Sequence, residues 1–561
     1  MPPTYDPVPD VNMPERTSSP PPAFPARLPP EQSSPVPKRQ GDYEQLHDPT
    51  RGDIEDVEKF PISSTLYPRA RFAMVVSYMM LLLSIVFGGA FFFIGILSDK
   101  INEPVKQVIS NVQNHVGQSL RFDETARDVV SLLFTFVVAI VTETLGFVHG
   151  TCLKWTLLKE GRLAFNSNLR LVSHARHSRP NGWLGNTIYM YATAVSYATT
   201  PMLVIYRSTA SDTYPEFTKA APIVLGISVL VQCAICIWGL AVTRIPSWNS
   251  SPLVAAFVAS TRDKYDMDRT ILQNRYGRCM APIYESKRKP SGELPMSPKT
   301  RQISAIFTRA QAVCSVFISY AIFVGLLAWF IIVTVVIRKN GGDGTSKSFD
   351  WNFFPNENTP NLTIKSFNSA DSSTSATLQT KSSSVLVSIM LATCVQLVIT
   401  IGSHFAESQV LLCRDEDIWR KATTEDGCDQ SYNSLVAPLT NLWSFVLLLL
   451  KVSLHWIYGL AVDFNYTTLR MNSPQLLYLT SVWLILTIVT TYLSLRRPRG
   501  KLPATYGHLQ TLVDIVDEWD WRSNLYWGHK GHFVESNGDV FYHAGTKNVE
   551  LPPVRVDLLY K

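Results

Sequence analysis

Glu143 is the residue of this chain best placed by type and setting to do chemistry. It is an acid inside an apolar run, VVSLLFTFVVAIVTETLGFVHG (Val129–Gly150). An ionisable group at such a depth is costly, and by default it points to proton carriage, a substrate contact or ion ligation. The structural alternative is a buried acid bonded to polar groups on a neighbouring helix. A second polar set lies at Asn441, Ser444, Leu448, Lys451 and His455. Its spacings of three and four put these residues on one face of a helix. Depth restricts their use. Asn441 and Ser444 fall near the level of Glu143, whereas Lys451 falls several residues beyond it and is free to snorkel outward. A direct Glu143–Lys451 pair then requires the helices to tilt or shift. His404 and Glu407, at the inner end of another apolar run, are level with Glu143, so Glu143, Asn441 and His404 form the easier cluster. Lys451 and His455 read equally well as an interfacial pair anchoring their helix.

The remaining chemical candidates are weaker. Cys233-Ala-Ile-Cys236 has redox or metal spacing but sits in an apolar run without a neighbouring Cys or His, where cysteines behave as small hydrophobes. His529, His532 and His543 lack a cysteine partner and read as hydrogen-bonding residues. The sequence carries no P-loop, nucleophile elbow, HExxH or dinucleotide fingerprint. It therefore predicts no catalytic residue, no metal, no cofactor and no enzyme.

The elements that must position Glu143 are membrane spans. The chain has 561 residues, 46% hydrophobic and 17% charged, against roughly 25% charged in soluble domains. Eight apolar segments, near 72–97, 129–150, 185–206, 221–244, 306–337, 384–403, 435–460 and 475–495, are each long enough to cross a bilayer as helix. The third, rich in Tyr, Thr, Ala and Ser, has to be hidden by its neighbours if it spans, and seven spans is the rival count. The expected class is an all-α polytopic membrane protein. It has a Pro/Ser-rich disordered cytosolic tail over 1–68, an eight-helix membrane domain over 69–497 and a small cytosolic α+β module over 498–561. No apolar run opens the chain, so targeting is expected from segment 72–97.

Orientation follows from Lys and Arg near the membrane. The loop after the second segment holds Lys154, Lys159, Arg162, Arg170, Arg176 and Arg179, and the loop after the fourth holds ten more, from Arg262 to Arg301. The intervening loops are poorer, which predicts cytosolic termini. Asn361-Leu-Thr363 and Asn465-Tyr-Thr467 are glycosylation acceptors on the outside, while Asn249-Ser-Ser251 falls inside. All eight cysteines lie in spans or cytosolic loops, so no outer disulfide is expected. In the cytosolic part, Ser250-Ser251-Pro252 starts a short amphipathic or interfacial helix, PLVAAFVAS. Leu509, Leu512, Val513, Val516 and Trp519 recur at helical spacing, and Asn537-Gly538 marks a hairpin turn.

EGRLAFNSNLRL (Glu160–Leu171), SWNSSPL (Ser247–Leu253), LPATYGHLQTLVDIVDEW (Leu502–Trp519) and YWGHKG (Tyr526–Gly531) resemble segments of a group of multi-pass membrane proteins from filamentous fungi. The resemblance implies a source and an architecture; the group has no established activity, and no functional residue is carried over. Two function classes fit the residues. One is a transporter- or channel-like protein using the intramembrane polar cluster. The other is a non-transporting scaffold or sensor whose basic loops hold anionic lipid headgroups and whose tails recruit a cytosolic protein. The expected home is the plasma membrane or the secretory pathway, the expected partner is the bilayer itself, and a net charge of +6 gives no reason for a nucleic-acid partner.

Overall fold

The computed structural model describes residues 68–104, 107, 124–208, 213–260, 279–280, 302–340, 351–356, 358–365, 377–429, 436–465, 468–519, 524–534 and 538–560. The expected head over 1–68, except its last position, lies outside the described residues. So do residues 283–300 and the middle of the Ser/Thr-rich loop before segment 384–403.

The fold is mostly helical. Its long elements are α1 (Pro68–Ile96), α2 (Glu124–Lys159), α3 (Trp183–Thr199), α4 (Ala220–Val242), α6 (Ala310–Asn340), α7 (Thr377–Arg420), α9 (Leu442–Ala461) and α10 (Ser473–Leu495). The short helices α5 (Pro252–Ser260), α8 (Ala437–Thr440) and α11 (Leu509–Ile515) lie between or after them. Among the described residues, seven helices are long and apolar enough to cross a membrane. These are all the long elements except α3, the one that sequence marks as weakest.

At 17 residues, α3 gives way to a 3-10 turn over Thr200–Met202, where Pro201 enters. It nevertheless runs antiparallel beside α4 from end to end. Before α3, Asn181 Nδ2 donates to Thr156 Oγ1 and Thr243 Oγ1 at the close of α2 and α4. After it, Thr218, just ahead of α4, donates its hydroxyl to the Met202 carbonyl (2.8 Å). The polar residues that weakened the apolar signal face inward and satisfy one another: Ser196 and Ser228 hydroxyls lie 2.8 Å apart, and Gln232 Nε2 donates to Ser196 Oγ at 3.0 Å.

The bundle has two different ends. One carries small antiparallel sheets: β1 (Val204–Ser208) with β2 (Thr213–Phe217), and β3 (Asn361–Lys365), β4 (Val462–Asn465) and β5 (Thr468–Asn472) in the order β3-β5-β4. Asn361 and Asn465 both sit on this second sheet. Asn249 is at the opposite end, buried, with its carboxamide oxygen accepting from Ser251 N at 2.8 Å.

That opposite end, here the tail end, is where α2 and α7 outrun their expected limits of 150 and 403. Helix α7 continues to Arg420 because the charges it carries there are partnered. Glu416 accepts from the backbone amides of Thr505 and Tyr506 (2.8 Å each) and from Arg420 Nε (2.7 Å). Gly507 has φ +70, a conformation in which a side chain is strained, and leaves room for Asp415. The tail forms α11 and the hairpin of β6 (Tyr526–Val534) with β7 (Val540–Lys547), Val534 opposite Val540. Residues 535–537 of the expected turn lie outside the described residues.

The tail's apolar core is continuous with the bundle end. Leu509, Leu512 and Trp527 pack in one cluster with Leu153 and Trp155 of α2, Leu253 of α5 and Trp419 of α7. Helix α5 begins at Pro252 as its sequence implies, and most of its residues are buried, packed with those of α11. Two segments distant in sequence also join through their backbones: Asn166 N donates to the Gly507 carbonyl (2.8 Å) and Leu509 N to the Ala164 carbonyl (2.9 Å).

Candidate functional site

Glu143 of α2 meets Lys451 of α9 and Glu407 of α7 in mid-bundle. Lys451 Nζ donates to Glu143 Oε1 at 2.8 Å and to Glu407 Oε2 at 2.9 Å. The direct pair forms because α2 runs on to Lys159, so Glu143 sits nearer the middle of its helix than a span ending at 150 would put it. Asn441 takes no part. It caps α9, its side-chain oxygen accepting from Ser444 N.

The fourth member arrives from a loop. Arg170 folds back from the basic segment after α2, and its Nη2 lies 3.2 Å from Glu143 Oε2 and 3.5 Å from Glu407 Oε2. Its path runs along two glycines one turn apart on α2. A Cβ on Gly146 would stand 2.2 Å from Arg170 Nη1, and one on Gly150 would touch its Cδ at 3.7 Å. Burial works against the guanidinium's charge, but Glu407 and Glu143 outweigh it and raise the Arg170 pKa above its ordinary range. Two acids and two bases thus alternate around one centre.

His404 completes the group, its Nδ1 lying 2.7 Å from Glu407 Oε2. A proton on Nδ1 donates to that carboxylate, and the 3.4 Å approach of Arg170 to the same nitrogen is then a crowding of like donors, not a second hydrogen bond. His455, one turn beyond Lys451, stands apart from the cluster. It bonds Gln396 Oε1 through Nδ1 (2.7 Å) and stacks on Tyr197 with ring centroids 3.6 Å apart. Tyr197 in turn shares a 2.8 Å hydrogen bond with Thr142. Both rings are buried on the sheet side of Glu143.

Toward the tail end the site continues into a cavity. The cavity, of about 470 Å³, reaches from Glu143, Glu407 and Lys451 past Ser444 to Lys154 and Arg414. Glu143 is the most accessible of the four charges, with its side chain 28% exposed against 5% for Lys451. Below it a second polar layer is organised by Asn166, which accepts from Lys154 Nζ (2.6 Å) and donates to Asp415 Oδ2 (2.9 Å) and the Ser250 carbonyl (3.0 Å). The arrangement is a polar vestibule ending at a charge network. It can receive a charged or polar group and exchange salt-bridge partners with it.

Of the residues that the sequence singles out, the structure brings Glu143, Lys451 and His404 together; Glu407, which the sequence places only at the same level, and Arg170, which reads there as a topogenic charge, join them. The legible signal is the pair of small residues Gly146 and Gly150, three and seven residues after the acid. Cys233 and Cys236 are buried thiols, the latter donating to the Leu145 carbonyl at 3.4 Å. In the tail, His543 Nε2 bonds Asp517 Oδ2 (3.0 Å) and His529 Nδ1 lies 3.1 Å from Tyr560 Oη. Among the described residues no group of His, Cys, Asp and Glu is arranged to hold a metal ion. Comparison of the chain with protein-family models, curated proteins and solved structures returns no match.

Proposed function

We propose that the chain is a multi-pass membrane protein of transporter-like activity, binding a polar solute or ion at the network of Glu143, Arg170, Glu407 and Lys451. The observation that carries this reading is the position of Glu143, on the wall of a cavity of about 470 Å³ at mid-bundle. Binding sites of carriers lie near the bilayer midplane, open to one side at a time. In this reading the vestibule opens toward the tail end, and the stack of His455 on Tyr197, with ring centroids 3.6 Å apart, is its closure on the other side.

In this reading α3 is an eighth span, supported by its end-to-end run beside α4. Both termini are cytosolic, supported by the separation of Asn361 and Asn465 from Asn249 and by the basic loops at the tail end. Residence in the plasma membrane or secretory pathway, with glycosylation at Asn361 and Asn465, follows from the same orientation. Membership in the fungal membrane-protein group belongs to this proposal too. It is supported by the pairing of Ala164 and Asn166 with Leu509 and Gly507, which joins two of the segments that carry the resemblance. A scaffold requires a tail free to recruit partners, whereas Leu509, Leu512 and Trp527 are committed to the bundle's own core.

The test is flux into proteoliposomes across a panel of inorganic ions, organic acids and a headgroup-labelled phospholipid. One of these is expected to move with wild type and to lose most of its rate in Glu143→Gln. A panel with no protein-dependent flux, or flux unchanged in Glu143→Gln, removes the reading.

A further inference from the structure

The cavity is asymmetric in a way that a vestibule for a soluble ion does not require. Part of its wall belongs to the outer surface of the bundle. Phe136 and Ile140 of α2 and Leu439 of α8 line it, yet they are 42%, 37% and 83% exposed. The opening between α2 and α8 therefore faces sideways, toward the region that lipid occupies around apolar helices. Phe147 and Leu448 continue this apolar wall inward.

The polar wall carries the opposite signal. Glu143 and Glu407 are each held by both Lys451 and Arg170, so the two acids leave no negative charge to attract a cation. At the tail end of the cavity stand Lys154 and Arg414 with the carboxamides of Asn166 and Asn168. Arg414 is tempered by Asp415 at 3.5 Å. Lys154 has one side-chain acceptor, Asn166 Oδ1 at 2.6 Å, and no carboxylate within ion-pair distance among the described residues. An ammonium offers three donors, so it retains donors for an anion entering the cavity.

We infer that the cavity takes an anionic phospholipid from the leaflet at the tail end, with the phosphate of its headgroup at Lys154 and its acyl chains leaving between Ile140 and Leu439. The inference rests on reading the cavity as a binding site, and it names the ligand class. A free phosphate shares the headgroup's chemistry, but it leaves Phe136, Ile140, Phe147 and Leu448 facing water. A lipid covers them. The volume lies within the roughly 300–1,000 Å³ range of ligand pockets, enough for a headgroup and the first part of its chains.

The experiment is lipid retention by the purified full chain, reconstituted in phosphatidylcholine nanodiscs doped with phosphatidate or phosphatidylserine and read by native mass spectrometry. Phosphatidate is expected to be retained in preference to phosphatidylcholine, and Lys154→Gln is expected to lower that preference about fivefold or more, the equivalent of about 1 kcal/mol for one basic group near a bilayer surface. Ile140→Trp narrows the lateral opening without changing a charge and is expected to lower retention of the anionic lipid. Equal retention of phosphatidate and phosphatidylcholine overturns the inference, as does retention unchanged in both variants. Displacement of the lipid by millimolar inorganic phosphate also overturns it, since the site then prefers the free ion. Selective retention without any flux supports the lipid site while removing the transport reading. Flux without headgroup preference does the reverse.

Discussion

Replacing Lys451 by Met removes one of two cations from a network whose four charges balance. The perturbation is severe because Lys451 touches both acids, at 2.8 and 2.9 Å, with its own side chain only 5% exposed. At those separations each contact has a gross attraction of about 6 kcal/mol at an effective dielectric constant of about 20. Most of that is offset by the desolvation of the partners. What remains on breaking a buried pair is the cost of an uncompensated charge, about 3–5 kcal/mol. Glu143 borders the cavity and keeps some hydration, so the loss should fall near 3. Removing the stranded acid restores balance: Lys451→Met with Glu143→Gln leaves Arg170 facing Glu407, and the double variant should recover about 1–3 kcal/mol relative to additivity. The assay is unfolding in mixed micelles followed by tryptophan fluorescence, with both single variants and the double variant measured. A Lys451→Met variant as stable as wild type, or a coupling energy near zero, would refute the claim that these charges are organised as one network.

Glycosylation mapping in a eukaryotic host is expected to modify Asn361 and Asn465 and leave Asn249 bare; sugar on Asn249 would reverse the orientation. Gly507→Ala forces a Cβ to within 2.7 Å of Asp415 Oδ2 at a φ of +70. It should loosen the tail by about 1–3 kcal/mol, seen as faster proteolysis between residues 500 and 560, and equal cleavage rates would contradict the docking described. In the tail, burial disfavours charged His543, but its hydrogen bond to Asp517 and the nearby Cys279 raise its pKa from 6.5 to about 10. A pKa raised on folding stabilises fully below about 6.5, and that contribution is lost as pH climbs through about 10. Thermal unfolding of wild type should therefore fall across pH 7–10 more steeply than that of His543→Gln; parallel curves would rule this contribution out.

The long helices were legible because each is an uninterrupted apolar run, and lipid permits such a run few other structures. Their ends were not. Apolar periodicity stops at Gly150 and Ser403, yet α2 and α7 continue because Asn166, Thr505 and Tyr506, far away in sequence, satisfy the polar residues beyond. The same blindness to distant partners misplaced the site. Measured from an end at 150, Glu143 is too shallow for Lys451; measured from Lys159, the two meet. Arg170 was hidden for a different reason, since a loop arginine carries the same topogenic signal whether it faces water or turns back into the bundle. Only the clearance left by Gly146 and Gly150 distinguishes the two. The Thr and Ser content of α3 weakens its apolar signal, and the structure accommodates it through bonds to Ser228 and Gln232.

Transport at this network requires that water reach Glu143 from the tail end and stop there. Cysteine accessibility measures this without knowledge of the substrate. In a background lacking native thiols, Ser444→Cys on the cavity wall should react with a membrane-impermeant sulfonate reagent applied at the tail face. Gln396→Cys, beyond the His455–Tyr197 stack, should react from neither face. An inert thiol at 444 in a folded protein would mean a sealed bundle, and labelling at 396 would mean that the closure at Tyr197 does not exist.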